Sequence, residues 1–213
     1  MNKENEQNKS LTLKGLKHVI IFYSIMFVTS AVIIFISSIE DPMNLLFIIS
    51  IGSIIILLLL LGIYISIGKI YAGNKGFGKE HENSTQKAQK FITWGLIIFF
   101  VSGFFIIPYF RNITILYILL NTIIYIPFWL ALVYLIKEIS EDRIKNLLWI
   151  ALISRAALFF FSNYYSSSYK FNTEEISGYS FLIPFISIIP SFIFIYCFYS
   201  TYNRIKNNEF LIE

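Results

Sequence analysis

The chain has 213 residues, of which 56% are hydrophobic and 14% are charged, and its formal net charge is +4. A water-soluble domain carries roughly a quarter charged residues, so this composition excludes an ordinary soluble fold. The apolar residues form blocks about 20 residues long, the length at which an α-helix crosses a ~30 Å hydrocarbon core. We therefore predict an all-α integral membrane protein that has the lipid bilayer as its main partner.

Six apolar blocks follow one another along the chain. The predicted transmembrane helices cover residues 19–38, 45–66, 91–109, 113–136, 146–165 and 179–199. The predicted organisation is a cytoplasmic polar tail (1–18), one membrane domain (19–203) and a second cytoplasmic tail (204–213). The first block lacks the short apolar core and small-residue cleavage site of a signal peptide, so we predict an uncleaved first helix.

The connection between the first two blocks is short and acidic and ends in Pro42. Proline suits the first turn of a helix, and so short a link predicts an antiparallel helical hairpin. The second block is apolar on every face from residue 54 to 61, which predicts an outer helix exposed to lipid. Pro127 predicts a kink in the fourth helix, and Cys197 in the sixth is predicted to be a buried structural thiol.

Lysine and arginine indicate the orientation. Fourteen of the 17 lie on one side of the six blocks: Lys3, Lys9, Lys14, Lys17, Lys69, Lys75, Lys79, Lys87, Lys90, Lys137, Arg143, Lys145, Arg204 and Lys206. Arg111 and Lys170 lie on the other side, and Arg155 lies inside the fifth block. Because cytoplasmic connections carry the excess of positive charge, we predict six spans of the cell membrane with both termini cytoplasmic. The basic residues do not form one folded face, so we predict no nucleic-acid partner.

Arg155 is the charged residue that lies deepest in an apolar block, about 13 Å from its cytoplasmic end at about 1.5 Å per residue. An arginine at that depth costs about 3 kcal/mol on insertion scales and is therefore a candidate site facing the bundle interior. Polar residues on the fourth and sixth helices recur at helical spacing and can face it. The candidate ligand-binding residues are Arg155, Tyr117, Asn121, Tyr125, Ser187 and Ser191.

Two functions fit this polar face. In the first, the core centred on Arg155 binds or translocates a small or anionic solute or a lipid headgroup. In the second, the same side chains only pack helices together, as hydroxyl and small residues commonly do in membranes, and the protein is a non-transporting scaffold or a subunit of a membrane complex. A continuous wet path to Arg155 favours the first function, and a dry core favours the second.

The connection between the second and third helices, residues 69–90, matches G-x-x-x-x-G-K by spacing from Gly73 to Lys79. A phosphate-binding loop needs Ser or Thr next and a buried strand before the glycines, whereas Glu80 follows the lysine here. We therefore predict a flexible glycine turn and a solvated helix start that includes Glu80 and His81. The sequence also lacks a zinc-protease motif and an intramembrane carboxylate pair, so it predicts no catalytic residue, metal or cofactor.

The same connection reads Gly73-Asn74-Lys75-Gly76-Phe77-Gly78-Lys79-Glu80-His81 ahead of the third helix. It resembles a cytoplasmic signature of uncharacterised archaeal multi-pass membrane proteins, in which Phe-Gly is followed by a histidine before a new transmembrane helix. Gly76 stands where that pattern has an acidic residue, so the sequence departs from it there. The resemblance covers about one tenth of the chain and implies an archaeal origin, but it implies no activity.

Overall fold

The computed structural model describes residues 3–37, 42–102, 114–168, 186 and 189–207. Within these residues the chain is all-helical, with six α-helices and no strand, which confirms the predicted all-α class. The helices are α1 (Lys3–Ser37), α2 (Pro42–Ala72), α3 (Lys79–Val101), α4 (Thr114–Ile136), α5 (Asp142–Ser168) and α6 (Ile189–Lys206). Two 3₁₀ turns, Asn74–Phe77 and Lys137–Ile139, precede α3 and α5.

Three of the described helical stretches are long and apolar enough to cross a membrane. They are Lys3–Thr29, Ile118–Ile139 and Asp142–Ser162, and Leu61–Ala72 is a shorter apolar helix. Length and composition therefore agree with the membrane class that the sequence predicts.

Several helices continue beyond the apolar blocks into polar sequence. α1 has 35 residues, about 52 Å at about 1.5 Å per residue, which exceeds the ~30 Å thickness of a hydrocarbon core. The polar residues 3–17 belong to this helix, and α3 begins at Lys79 rather than at residue 91. Lysine, glutamate and glutamine are good helix formers, so a polar segment that packs against neighbours stays helical.

The main helix contacts follow the spatial order α2, α1, α6, α5, α4, α3. α1 and α2 make the most extensive of these contacts. Gly15 lies against Ile70 and Phe22 lies against Gly62, so residue numbers rise along α1 as they fall along α2. The two helices are therefore antiparallel, which confirms the predicted hairpin.

Apolar side chains fill the interior and also cover much of the outer surface. Buried core residues come from all six helices, and Cys197 is among them, as predicted. Exposed apolar side chains recur at helical spacing on α1, α2 and α6: Ile21, Ile25, Val28 and Val32; Ile54, Leu58, Leu61 and Ile65; Ile189, Phe192, Tyr196 and Tyr199. The second helix thus has the exposed apolar face that its sequence predicts.

The polar segments 3–17, 69–90, 137–145 and 204–207 meet at one end of the bundle, which we call the polar end. α1 and α3 both contact the first 3₁₀ turn, and α3 also contacts the second. Ser84 Oγ donates a hydrogen bond to the carbonyl oxygen of Tyr134 at 2.6 Å. The hydroxyls of Ser140 and Thr201 lie 2.7 Å apart, which joins the second turn to α6. The polar end is therefore a packed layer and not a set of separate loops.

Replacing Gly15 tests the close approach of α1 and α2. A Cβ at this position would lie 2.6 Å from Ile70 Cγ1 and 2.8 Å from the carbonyl oxygen of Ser66. Because the backbone cannot yield as a side chain does, we expect Gly15→Ala to destabilise the protein by about 1–3 kcal/mol, measured by thermal unfolding in detergent.

Gly68→Ala is the matched control, because a Cβ at Gly68 has nothing within 4 Å. We expect it to leave stability unchanged or to raise it by up to about 1 kcal/mol through helix propensity. Equal unfolding temperatures for Gly15→Ala and the wild type would contradict the helix contact.

Candidate functional site

Arg155 lies in the middle part of α5, and its side chain is partly buried. Ala151, one turn earlier on the same side of the helix, is fully buried, so this side of α5 faces the bundle. Ser154 beside it donates a hydrogen bond to the carbonyl oxygen of Ile150 at 2.6 Å. Arg155 also takes part in an interaction within the protein.

The other predicted ligand-binding residues lie on α4 and α6 or beyond the described residues. Tyr125 is partly buried on α4, and Ser191 is buried on α6. For Tyr117 and Asn121 the structure describes the backbone, which is helical in α4, and Ser187 lies outside the described residues. The site therefore stays a prediction.

An aromatic cluster occupies the contact between α4 and α5 one turn beyond Arg155. The ring centroids of Tyr125 and Phe159 lie 4.9 Å apart, and those of Trp129 and Phe159 lie 5.6 Å apart, both edge to face. Edge-to-face ring pairs contribute about 0.5–1.5 kcal/mol beyond the area that they bury. The described part of the α4–α5 contact near Arg155 is thus aromatic as well as polar. Aromatic ring faces are among the partners that a guanidinium can have inside a membrane.

The interior between α1, α4 and α6 holds a void of about 10 Å³. Its lining is apolar and includes Val19, Leu132 and Phe194. A void of this size holds at most one water, and an apolar lining gives that water no hydrogen-bond partner. This part of the described interior is therefore dry.

The glycine turn, residues 73–78, is packed against α1. A Cβ added at Gly73 would collide with the side chain of Thr12 and the backbone of Asn8. Asn74 is buried, and its Nδ2 donates a hydrogen bond to Thr85 Oγ1 at 2.8 Å. Gly78 has a φ of +90°, a backbone conformation that other residues rarely adopt. The turn that the sequence predicts to be flexible is thus a tightly packed connection from α2 to α3, held against α1.

His81 is buried in the first turn of α3, with 1% of its surface exposed, so the predicted solvated position is wrong. Its ring packs edge to face on Phe77 at 5.5 Å between centroids. Neither ring nitrogen has a hydrogen-bond partner among the described residues, and Thr12 Oγ1 is also buried without one. The polar end therefore buries two polar groups whose hydrogen bonds the described structure does not satisfy.

Helical spacing is the sequence signal that predicts this burial. Five residues of α3 are buried and share one face of the helix, because the last four lie three, four, seven and eleven positions after the first: His81, Ser84, Thr85, Ala88 and Ile92. Small and polar residues carry most of this face, and a search for apolar periodicity alone does not detect it.

Burial lowers the pKa of His81 to about 4 from its ordinary value of 6.5, and the negative charge of Glu138 opposes this shift. The desolvated ring is disfavoured as a cation, so the folded protein holds His81 neutral.

Among the described residues, no group of three His, Cys, Asp or Glu side chains is arranged to hold a metal ion. Comparisons with protein families, with curated proteins and with solved structures gave no match to this chain.

The buried His81 predicts a stability that falls as pH is lowered. Between pH 6.5 and 4 the unfolded chain binds a proton at His81 that the folded protein does not bind, so stability is lost with falling pH, by at most about 3 kcal/mol. We expect thermal unfolding to show this slope for the wild type. Well above pH 6.5 His81 is neutral in both states and adds no slope.

His81→Leu removes the titrating group and replaces unbonded nitrogens by carbon. We expect equal or higher stability at pH 7 and a shallower slope below pH 6.5. Asn83→Ala, on the exposed side of the same turn, is the control and should keep the wild-type slope. A slope as steep in His81→Leu as in the wild type would assign the acid sensitivity to other groups.

Proposed function

We propose that this chain is a six-span protein of the cell membrane with both termini cytoplasmic, and that it acts as a non-transporting scaffold or a subunit of a membrane complex. The relation to archaeal multi-pass membrane proteins stays part of this proposal, because it rests on the glycine turn and His81 alone.

Charge segregation supports the orientation. The fourteen lysines and arginines that the sequence assigns to one side all lie in the four segments that meet at the polar end. Exposed apolar residues begin within about one turn of these charges, as at Lys17 and Ile21 on α1 and at Lys90 and Trp94 on α3. Tryptophan and tyrosine are enriched at membrane interfaces, and positive charge is enriched on the cytoplasmic side.

The small apolar void between α1, α4 and α6 supports the assignment of a non-transporting role. A solute pathway needs a wet route with polar lining at mid-depth, whereas the described void is apolar and of water size. Beside Arg155, the contact between α4 and α5 is filled by the packed rings of Tyr125, Trp129 and Phe159. In a non-transporting protein of this kind, outward-facing helices and the polar end would be the surfaces available to partners.

One observation favours a second candidate function. Arg155 is a partly buried cation in the middle of an apolar helix, and ionisable residues in such positions commonly mark solute or ion sites. In this alternative a small or anionic solute or a lipid headgroup binds the Arg155 face.

Liposome flux separates the two functions. If the core is closed, wild-type proteoliposomes will move chloride and phosphate no faster than protein-free vesicles, and Arg155→Leu will change only thermal stability. Arg143→Gln is the matched control, because Arg143 is exposed on the same helix. Anion flux in the wild type that Arg155→Leu abolishes while it stays folded, and that Arg143→Gln retains, would overturn the non-transporting role.

Cysteine labelling tests the orientation. In a Cys197→Ala background, Lys75→Cys at the exposed polar end should react with a membrane-impermeant maleimide only after cells are broken. Asn112→Cys, in the predicted outer connection, should react in intact cells. The reverse pattern would mean that both termini lie outside the cell. Reaction of both cysteines in intact cells would contradict the six-span arrangement.

A further inference from the structure

An open groove of about 420 Å³ lies between α1 and α6 at the polar end. Six of its lining residues come from α1 (Glu6, Lys9, Ser10, Leu13, Lys14 and Lys17), and Tyr202 comes from α6. Three lysines against one glutamate make the groove positive. Lys14 and Lys17 are exposed and one helical turn apart, so both ammonium groups can reach one anion.

The surroundings of the groove add to its positive charge. On α6, Arg204 and Lys206 follow Tyr202 by two and four residues. The hydroxyls of Ser10 and Tyr202 offer hydrogen-bond donors beside the lysines. Glu6 is the acidic residue of the lining and lies at the end of the groove farthest along α1 from Lys17. An anion with several oxygen atoms therefore matches the lysine-bearing part of the groove.

The same side of α1 changes from basic to apolar directly below the groove. Lys14, Lys17, Ile21, Ile25 and Val28 recur at steps of three and four, and the three apolar side chains are exposed. The exposed apolar run from Ile21 to Val32 spans about 16 Å at about 1.5 Å per residue. This is about half of a ~30 Å hydrocarbon core, the depth of one leaflet.

α6 supplies the second wall of this apolar surface. Phe192, Tyr196 and Tyr199 are exposed along it, and the rings of Phe192 and Phe27 meet at 4.5 Å between centroids. The basic groove thus lies next to an apolar surface formed by two packed helices, which we call the apolar seam, and this arrangement matches the amphipathic shape of a phospholipid.

We propose that the α1–α6 groove binds the headgroup of an anionic phospholipid, with its acyl chains lying against the apolar faces of α1 and α6. The lysines neutralise the phosphodiester, and the hydroxyls donate to its oxygens. A zwitterionic lipid brings its own cation and gains less from the lysines. The inference goes beyond the scaffold role and requires that the polar end lie at the membrane surface.

Lipid titration of the purified full-length chain tests the site. In a neutral detergent, short-chain phosphatidylglycerol should raise the unfolding temperature at lower concentration than phosphatidylcholine of the same chain length. Each lysine near an anionic lipid contributes roughly fivefold in affinity. We therefore expect the double variant Lys14→Gln with Lys17→Gln to raise the half-maximal phosphatidylglycerol concentration roughly 25-fold.

The double variant Lys75→Gln with Lys79→Gln is the matched control. Both lysines are exposed at the polar end and lie outside the groove, so the loss of charge is the same. We expect a change below about twofold in this control. Equal losses in the two double variants would mean attraction to general surface charge and would overturn the site.

Two further arms identify the ligand. Glycerol phosphate carries the anion without the acyl chains and should stabilise the protein far less than phosphatidylglycerol, while Ile25→Ser in the apolar seam should weaken the lipid response alone. If glycerol phosphate stabilises the protein as much as the lipid does, the ligand of the groove is a soluble anion and the lipid proposal is wrong. Because all the substituted side chains are exposed, the variants should unfold at the wild-type temperature without lipid, and Lys17→Arg should keep wild-type binding. Flux measurements decide the scaffold role separately, so the two proposals fail independently.

Discussion

The backbone contact between α1 and the C-terminal part of α2 is the constraint on which the polar end depends. Gly15 brings the α1 backbone against the carbonyl of Ser66 and the amide of Ile70, and Gly73 brings it against the following turn. With α1 held there, Thr12 and Leu16 become fully buried. The polar turns of α1 then form a fixed wall, against which α6 and the glycine turn pack.

This packed layer contains hydrogen bonds of uneven quality. Asn74 and Thr85 satisfy each other in a buried position, and the Thr85 hydroxyl also donates to the carbonyl oxygen of Glu82 at 2.9 Å. His81 and Thr12 are buried without partners among the described residues, and each such group costs about 1–3 kcal/mol. Stability must therefore come from the apolar contacts around them. Local rules of this kind are most often broken at functional or strained positions.

The sequence predicts the helices well where lipid-like hydrophobicity is the signal. The predicted fourth block, 113–136, lies within one residue of α4, because it is predominantly apolar and ends directly before a lysine. The polar extensions of α1 and α3 are not predicted, because hydropathy detects only the apolar part of each helix, whereas the helices continue into polar sequence. Hydropathy does not predict the burial of His81, because the inner face of α3 consists largely of Ser, Thr and Ala, which hydropathy scales do not distinguish from surface residues.

Contacts between residues that are distant in the chain are harder still to predict from the sequence. Gly15 and Ile70 are 55 positions apart, and nothing in either segment alone indicates that glycine is needed for a partner. For Arg155 the depth along α5 follows from counting residues, whereas the neighbours depend on how the helix is rotated. That rotation is set by packing, and it brings Phe159 of the following turn against Tyr125 and Trp129.

The two places where this chain can meet an anion differ in their desolvation cost. At Arg155, which is partly buried, the guanidinium and an incoming anion would both lose hydration, which costs several kcal/mol per ion unless every hydrogen bond is replaced. At the polar end Lys14 and Lys17 are exposed, so they keep water while attracting a phosphate and contribute about 1 kcal/mol each. Apolar contacts to α1 and α6 can add to that attraction for a lipid but not for a soluble ion. Exposed lysines beside an apolar surface therefore bind an anionic lipid at a smaller desolvation cost than the partly buried Arg155 would bind an anion.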